Sequence, residues 1–258
     1  MFAKNRGKTA ITFLGGPTAV LEYAGLRWLT DPTFDPPQSY EDPGSTTLVK
    51  TRGPAIDPDA IAPIHVVLAS HHEHPDNLDT SGAAFSMAAP LVLSTPEAAA
   101  DLGAPVVGLA PWQSHTVNGP DGDITVTGMP ALHGPPGSED SVGPVVGYLL
   151  EAAGEPSIYV SGDNASLALV REIAERHAPI GIAVLFAGAA RVAAIDAPLT
   201  LTSQDAAQAA QILKAGRVVG LHTEDWEHFS ETRADLEAAF AATPGLLVGT
   251  PRGVRVEL

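Results

Sequence analysis

The chain has 258 residues, 45% of them hydrophobic and 17% charged, which is enough apolar material for a sizeable core and excludes a disordered or fibrous protein. A formal charge of −16 argues against nucleic acid as a partner, and the absence of cysteine excludes disulfides and thiolate metal sites. No apolar run approaches the roughly 20 residues needed to cross a bilayer. The run 10–14 after Lys4, Arg6 and Lys8 is too short for a signal-peptide core, so a cytoplasmic protein with no membrane partner is expected.

Short β-branched or apolar runs at 9–14, 18–23 and 26–30 predict three strands, the first two joined by a hairpin turn at Gly15-Gly16-Pro17. Positions 31–57, rich in proline, aspartate and glycine, read as one long surface loop, a length that favours a functional role. Strands follow at 64–69, 91–94, 106–109, 122–129, 145–151 and 157–160, with a helix over 96–102 that starts on proline. The remainder alternates: helix 166–177, strand 182–186, helix 203–214 with Ser203 as N-cap, strand 218–221 and helix 233–242. With no linker and no repeat, 1–258 reads as one α/β domain in which two sheets with helices outside fit the order of elements.

Four polar clusters each follow a predicted strand: SHHEHPDNLD at 70–79, MPALHG around His133, YVSGDN around Asp163, and VVGLHTEDW around His222. Neutral imidazole and carboxylate oxygen are the ligands of Zn²⁺, Mn²⁺ and Fe²⁺, and strand ends hold such ligands rigidly while leaving them open to substrate. His72 and His74 are two apart and would share one side of an extended backbone, with His133 completing a three-histidine face. Asp76 lies on the same side and would serve a second ion, Asp163 would bridge, and His222 would bind the second ion. His71 competes with His72 as partner of His74.

HxHxD within SHHEHPDNLD, His133 in PALHG, Asp163 in SGD and His222 in GLH together resemble the metal motifs of the metallo-β-lactamase fold, in the same order and over most of the chain. LTDP and the histidine loop look nearest to the branch of ascorbate-6-phosphate lactonase-like hydrolases. The resemblance implies a four-layer αββα sandwich and a mono- or dinuclear hydrolase site with Zn or Mn, or else Fe or Mg. Family spacing also favours His72 over His71 as the first ligand. The chain departs from the family at Asn77, where an imidazole is usual. That amide is either a weak, hard ligand that tilts the second position from zinc towards Mn²⁺, Fe²⁺ or Mg²⁺, or it is no ligand and binds substrate or a neighbouring backbone group.

Glu73 and Asp79 read as solvated groups, or Asp79 as a group that orients a ligating imidazole. Trp226, His228 and Asp31 are candidates to line the substrate pocket, each with packing or turn capping as the alternative. Arg191 reads as a surface cation or a contact for a substrate carboxylate. His65, His115 and His177 read as structural. The expected activity is hydrolysis of a small-molecule ester, a lactone first, with Asp76 positioning or deprotonating water. A small-molecule phosphodiesterase and a non-catalytic binding protein are the alternatives, and a homo-oligomer is compatible with the sequence.

Overall fold

The computed structural model describes residues 8–41 and 46–258; Lys4, Arg6 and positions 42–45 of the long loop lie outside the described residues. The first half holds β1 (Ala10–Gly15), β2 (Thr18–Tyr23), β3 (Leu26–Thr30), β4 (Gln38–Tyr40), β5 (Leu48–Lys50), β6 (Val66–Leu68), α1 (Thr80–Met87), β7 (Val92–Ser94), α2 (Pro96–Leu102) and β8 (Val106–Gly108). The second half holds β9 (Ser114–Gly119), β10 (Gly122–Pro130), α3 (Glu139–Val142), β11 (Val146–Ala152), β12 (Ile158–Val160), α4 (Leu167–His177), β13 (Ile182–Phe186), α5 (Ser203–Ile212), β14 (Arg217–Leu221), α6 (Arg233–Ala239) and β15 (Arg255–Glu257).

One sheet runs β15-β1-β2-β3-β6-β7-β8 and the other β14-β13-β12-β11-β10-β9, with β4 and β5 as a separate hairpin. Period-two alternation stacks them. Trp28 and Leu68 of the first sheet meet Tyr148, Val184 and Phe186 of the second between the sheets. The alternate residues face outward: Leu29 and Val67 pack against Phe85 of α1 and Ala98 of α2, while Leu149 and Leu185 pack against Ile173 of α4, Ala209 of α5 and Leu236 of α6. The result is the αββα sandwich that the resemblance implies.

All the helices but α3 start where a side chain satisfies free backbone N–H groups. Thr95 caps α2, and Thr232 with Asp235 forms a capping box on α6. The cap of α5 is Thr202, which accepts from the Asp205 amide, and not Ser203, which is already the first helical residue. The long loop carries order of its own, because β4 and β5 pair across it and Lys50 bridges to Trp226.

Strand direction places the site. β10 and β12 are both antiparallel to β11, and β12, β13 and β14 are mutually parallel, so β10, β12 and β14 end at the same edge of the second sheet. The loop after β6 meets that edge, where the Val146 amide donates to the Ser70 carbonyl at 3.0 Å. All four polar clusters therefore converge there.

Candidate metal centre

The loop after β6 is not extended. The amides of Asn77 and Leu78 both donate to the His74 carbonyl, at 3.1 and 2.9 Å, so 74–78 coils into a turn. Coiling replaces the two-residue repeat with a spacing of three: His71 Nε2 lies 2.9 Å from His74 Nδ1, and His133 Nε2 lies 3.2 Å from the same atom. His71, His74 and His133 form one cluster of candidate ligands. His72 points away, with Nε2 3.1 Å from Asp101 and Nδ1 3.3 Å from Glu73. The sequence-based preference for His72 is therefore corrected to His71.

Asp76, Asp163 and His222 form a second cluster. His222 Nε2 lies 3.3 Å from Asp76 Oδ2 and 3.5 Å from Asp163 Oδ1, while Asp163 Oδ2 lies 3.7 Å from His133 Nε2. Asp163 thus turns one oxygen towards each triad. Asn77 is fully buried, and its Nδ2 donates to Asp163 Oδ1 at 3.1 Å and to Ser70 Oγ at 3.4 Å. It steadies the Asp163 carboxylate and is not among the residues that line the cavity opening on the cluster. His228 Nε2 lies 2.9 Å from Asp76 Oδ2.

The local backbone holds these groups in place. Glycine is required at 162, where φ is +53° and a Cβ would fall 2.8 Å from the Ser70 side chain and 2.9 Å from the Val146 carbonyl. Asp31 and His222 leave their strands at φ +31° and +61°, uncommon conformations for such residues and of the kind that cluster at functional sites. The hairpin turn of β1 and β2 helps support His222, whose amide donates to the Gly16 carbonyl at 2.8 Å. The His222 ring lies between Phe186 and Phe229, with centroids 5.5 and 3.9 Å away.

Three sequence expectations change. Asp31 is buried beneath the cluster and not in the substrate pocket: its Oδ1 accepts from the Ser70 amide at 2.7 Å and from Ser70 Oγ at 2.8 Å. Asp79 orients no imidazole, because it caps α1 through the Gly82 amide and also accepts from the amides of Phe34 and Asp35 and from Lys50 Nζ. Trp226 packs behind the pocket with Leu48 and Phe229, its ring 5.5 Å from that of Tyr40. His65 is structural, its Nδ1 accepting from the Arg27 amide. Arg191 is exposed and outside the pocket lining.

Hydrogen bonding assigns the protons. His133 Nδ1 donates to the Leu199 carbonyl at 2.8 Å, which leaves a lone pair on Nε2. Because Ser70 Oγ gives its proton to Asp31, it accepts from His71 Nδ1 at 3.0 Å, which leaves a lone pair on His71 Nε2 as well. Two bare lone pairs thus face the same nitrogen of His74. Burial, with His74 and His133 beside it, holds His71 well below the usual histidine range, and burial also lowers His133.

Burial opposes the charged forms of Asp76 and His222, but their mutual attraction, with His228 acting on Asp76 and Asp163 on His222, outweighs it: Asp76 is held well below the carboxylate range and His222 is raised. Asp163 Oδ2 and both His222 nitrogens are buried without an aligned hydrogen-bond partner. Converging lone pairs and uncompensated carboxylate oxygens are what divalent cations satisfy. The donor set fits such ions, with His71, His74 and His133 to hold one, Asp76 and His222 the other, and Asp163 between them.

A cavity of about 100 Å³ opens on this cluster. His74, Asp76, His133 and His228 contribute to its lining. Leu48, Val142, Val192, Ile195 and Leu199 supply apolar walls that the sequence did not single out.

An αββα sandwich with two ligand triads at one edge of its paired sheets defines a class of metal-site proteins. Residues 27–223 match the beta-lactamase superfamily domain, and the chain belongs to that family. Its fold is similar to that of a possible metal-dependent hydrolase from Veillonella parvula (TM-score 0.84, 18% identity, 98% of this chain and 100% of the other). It is also similar to an isothiocyanate hydrolase from Delia radicum gut bacteria (TM-score 0.80, 19% identity, 96% and 98%). A third similar structure is a metallo hydrolase from the archaeon Ignicoccus hospitalis (TM-score 0.73, 18% identity, 98% and 99%). No curated protein sequence matches the chain. Among the described residues no helix is long and apolar enough to cross a membrane.

Proposed function

We propose that the protein is a metal-dependent hydrolase that cleaves a small-molecule ester, a lactone first among candidates. The observation that carries the reading is the convergence of His71 Nε2 and His133 Nε2, both with their protons bound elsewhere, on His74 Nδ1, beside a carboxylate that faces both triads. When bound, divalent ions supply Lewis acidity towards a carbonyl oxygen and make water more acidic. Imidazole ligands suit Zn²⁺, Fe²⁺ or Mn²⁺ in the first triad, and the two carboxylates of the second lean towards Mn²⁺, Fe²⁺ or Mg²⁺.

The chain's own residues orient the reactants. Asp76 stays ionised, lines the cavity and accepts a hydrogen bond from His228 Nε2, so its carboxylate is fixed to accept a hydrogen bond from water and aim it at the substrate. The ester reading is preferred to a phosphodiesterase because no lysine or arginine lines the cavity among the described residues. The similarity to an isothiocyanate hydrolase supports testing that class of neutral carbon electrophile beside lactones.

The test is elemental analysis of the purified protein and of His74→Ala, with a screen of lactones, isothiocyanates and phosphodiesters on metal-loaded enzyme. We expect bound transition metal, its loss from the first triad in His74→Ala, and turnover of a neutral substrate. Protein with no affinity for Zn²⁺ or Mn²⁺ would sink the enzyme reading and favour a non-catalytic binding role.

A further inference from the structure

The cavity separates into two chemically different parts. Its inner wall is the ligand cluster, represented by His74, Asp76 and His133. The rest is hydrocarbon: Leu48 from β5, Val142 from the end of α3, and Val192, Ile195 and Leu199 from the segment between β13 and α5. Among the described residues the other polar side chains on it are Thr46, Ser141 and His228. The Thr46 hydroxyl oxygen accepts from the Ala193 amide at 3.3 Å.

The nearby lysine and arginine side chains stay out of the hydrocarbon part of this space. Lys50 is two residues from Leu48, but its ammonium is buried on Asp79 at 2.7 Å, and Arg191 is exposed outside the lining. A chain of net charge −16 adds no compensating positive field. An anionic group against these hydrocarbon walls would lose its hydration and, among the described residues, meet no lysine or arginine there, whereas a hydrocarbon group would be stabilised by burial.

We infer that the cavity walled by Val142, Ile195 and Leu199 takes an uncharged hydrocarbon arm of the substrate, so that the molecule processed is a neutral small ester, lactone or related carbon electrophile with an apolar tail. The reacting carbon lies at the ligand cluster and the tail runs along the hydrocarbon walls. The inference rests on the hydrolase reading and adds the polarity of the substrate to it.

The experiment uses metal-loaded enzyme and γ-lactones with no tail, with tails of increasing length, and with a tail ending in a carboxylate. Each buried methylene is expected to raise kcat/KM about four-fold until the cavity is filled. The terminal carboxylate is expected to cancel at least about ten-fold of that gain. Ile195→Asp should flatten the series. A flat series in the unaltered protein, or a carboxylated tail accepted as well as the neutral one, overturns the inference.

If no lactone, isothiocyanate or phosphodiester is turned over, the hydrolase reading fails separately. The cavity is then read by titrating 4-phenylbutanol into isotope-labelled protein. Amide shifts centred on Val142, Ile195 and Leu199 support an apolar site, and shifts elsewhere or none overturn it.

Discussion

Ser70 shows how a single residue sets the chemistry of the cluster. Its hydroxyl proton goes to Asp31, so it accepts from His71 and turns the His71 lone pair inward. Ser70→Ala should weaken metal binding at the first triad about 10–100-fold in a chelator competition; an unchanged affinity would mean that packing alone orients the ring. Burial pushes Asp31 from its ordinary 3.8 up to about 8, against the pull of its bonds to Ser70. Between these values the folded protein keeps a proton that the unfolded chain has lost, so in chelated protein this residue makes stability fall as pH rises from about 4 to about 8, with no further change above. Asp31→Asn should flatten that slope in urea titrations across the range, and an identical slope would contradict it. The ligand types were legible in the sequence, and so was the suspicion that Asn77 is unusual. The choice between His71 and His72 was not, because it depends on a turn closed by backbone bonds to the His74 carbonyl.

At the scale of elements, α1 and the β4–β5 hairpin are joined through one carboxylate. Asp79 accepts three backbone amides and the Lys50 ammonium with both charged groups almost wholly buried. Asp79→Ala should cost about 3–5 kcal/mol in denaturant unfolding, because it strands a buried ammonium and uncaps a helix; a loss under about 1 kcal/mol would show the pair to be dispensable. Gly162→Ala should displace the Asp163 loop, since its Cβ would meet Ser70. The expected result is weaker metal binding with little change in far-UV circular dichroism. Strongly periodic strands such as β2, β3 and β13 were readable in sequence. The helix α1 was not, because TSGAAFSM has little amphipathic pattern and begins at a cap whose other partners are distant in sequence. The hairpin within the long loop was hidden for a similar reason: β5 finds partners in β4 and around Trp226.

For the whole molecule, the first sheet supplies His71, His74 and Asp76 and the second supplies His133, Asp163 and His222. Ions held by both sets would tie the two sheets together at one edge and compensate buried carboxylates. Chelation should therefore lower Tm by about 5–10 °C, as expected for an ion present at about a hundred times its Kd, and adding back Mn²⁺ or Zn²⁺ should restore it; a Tm indifferent to chelator would contradict the coupling. The layered architecture was legible through the order of strands and helices together with the family resemblance, whereas periodicity alone did not fix it. The cavity was not, since its walls come from segments with no chemical signature. Those walls stand on β5, the end of α3 and the stretch between β13 and α5, whereas the six candidate ligands follow β6, β10, β12 and β14. Recognition and reaction are thus inherited on largely separate pieces of chain. Substitutions along the walls can change which molecules are accepted while the ligand set stays intact, which gives such a scaffold room to acquire new substrates by small steps.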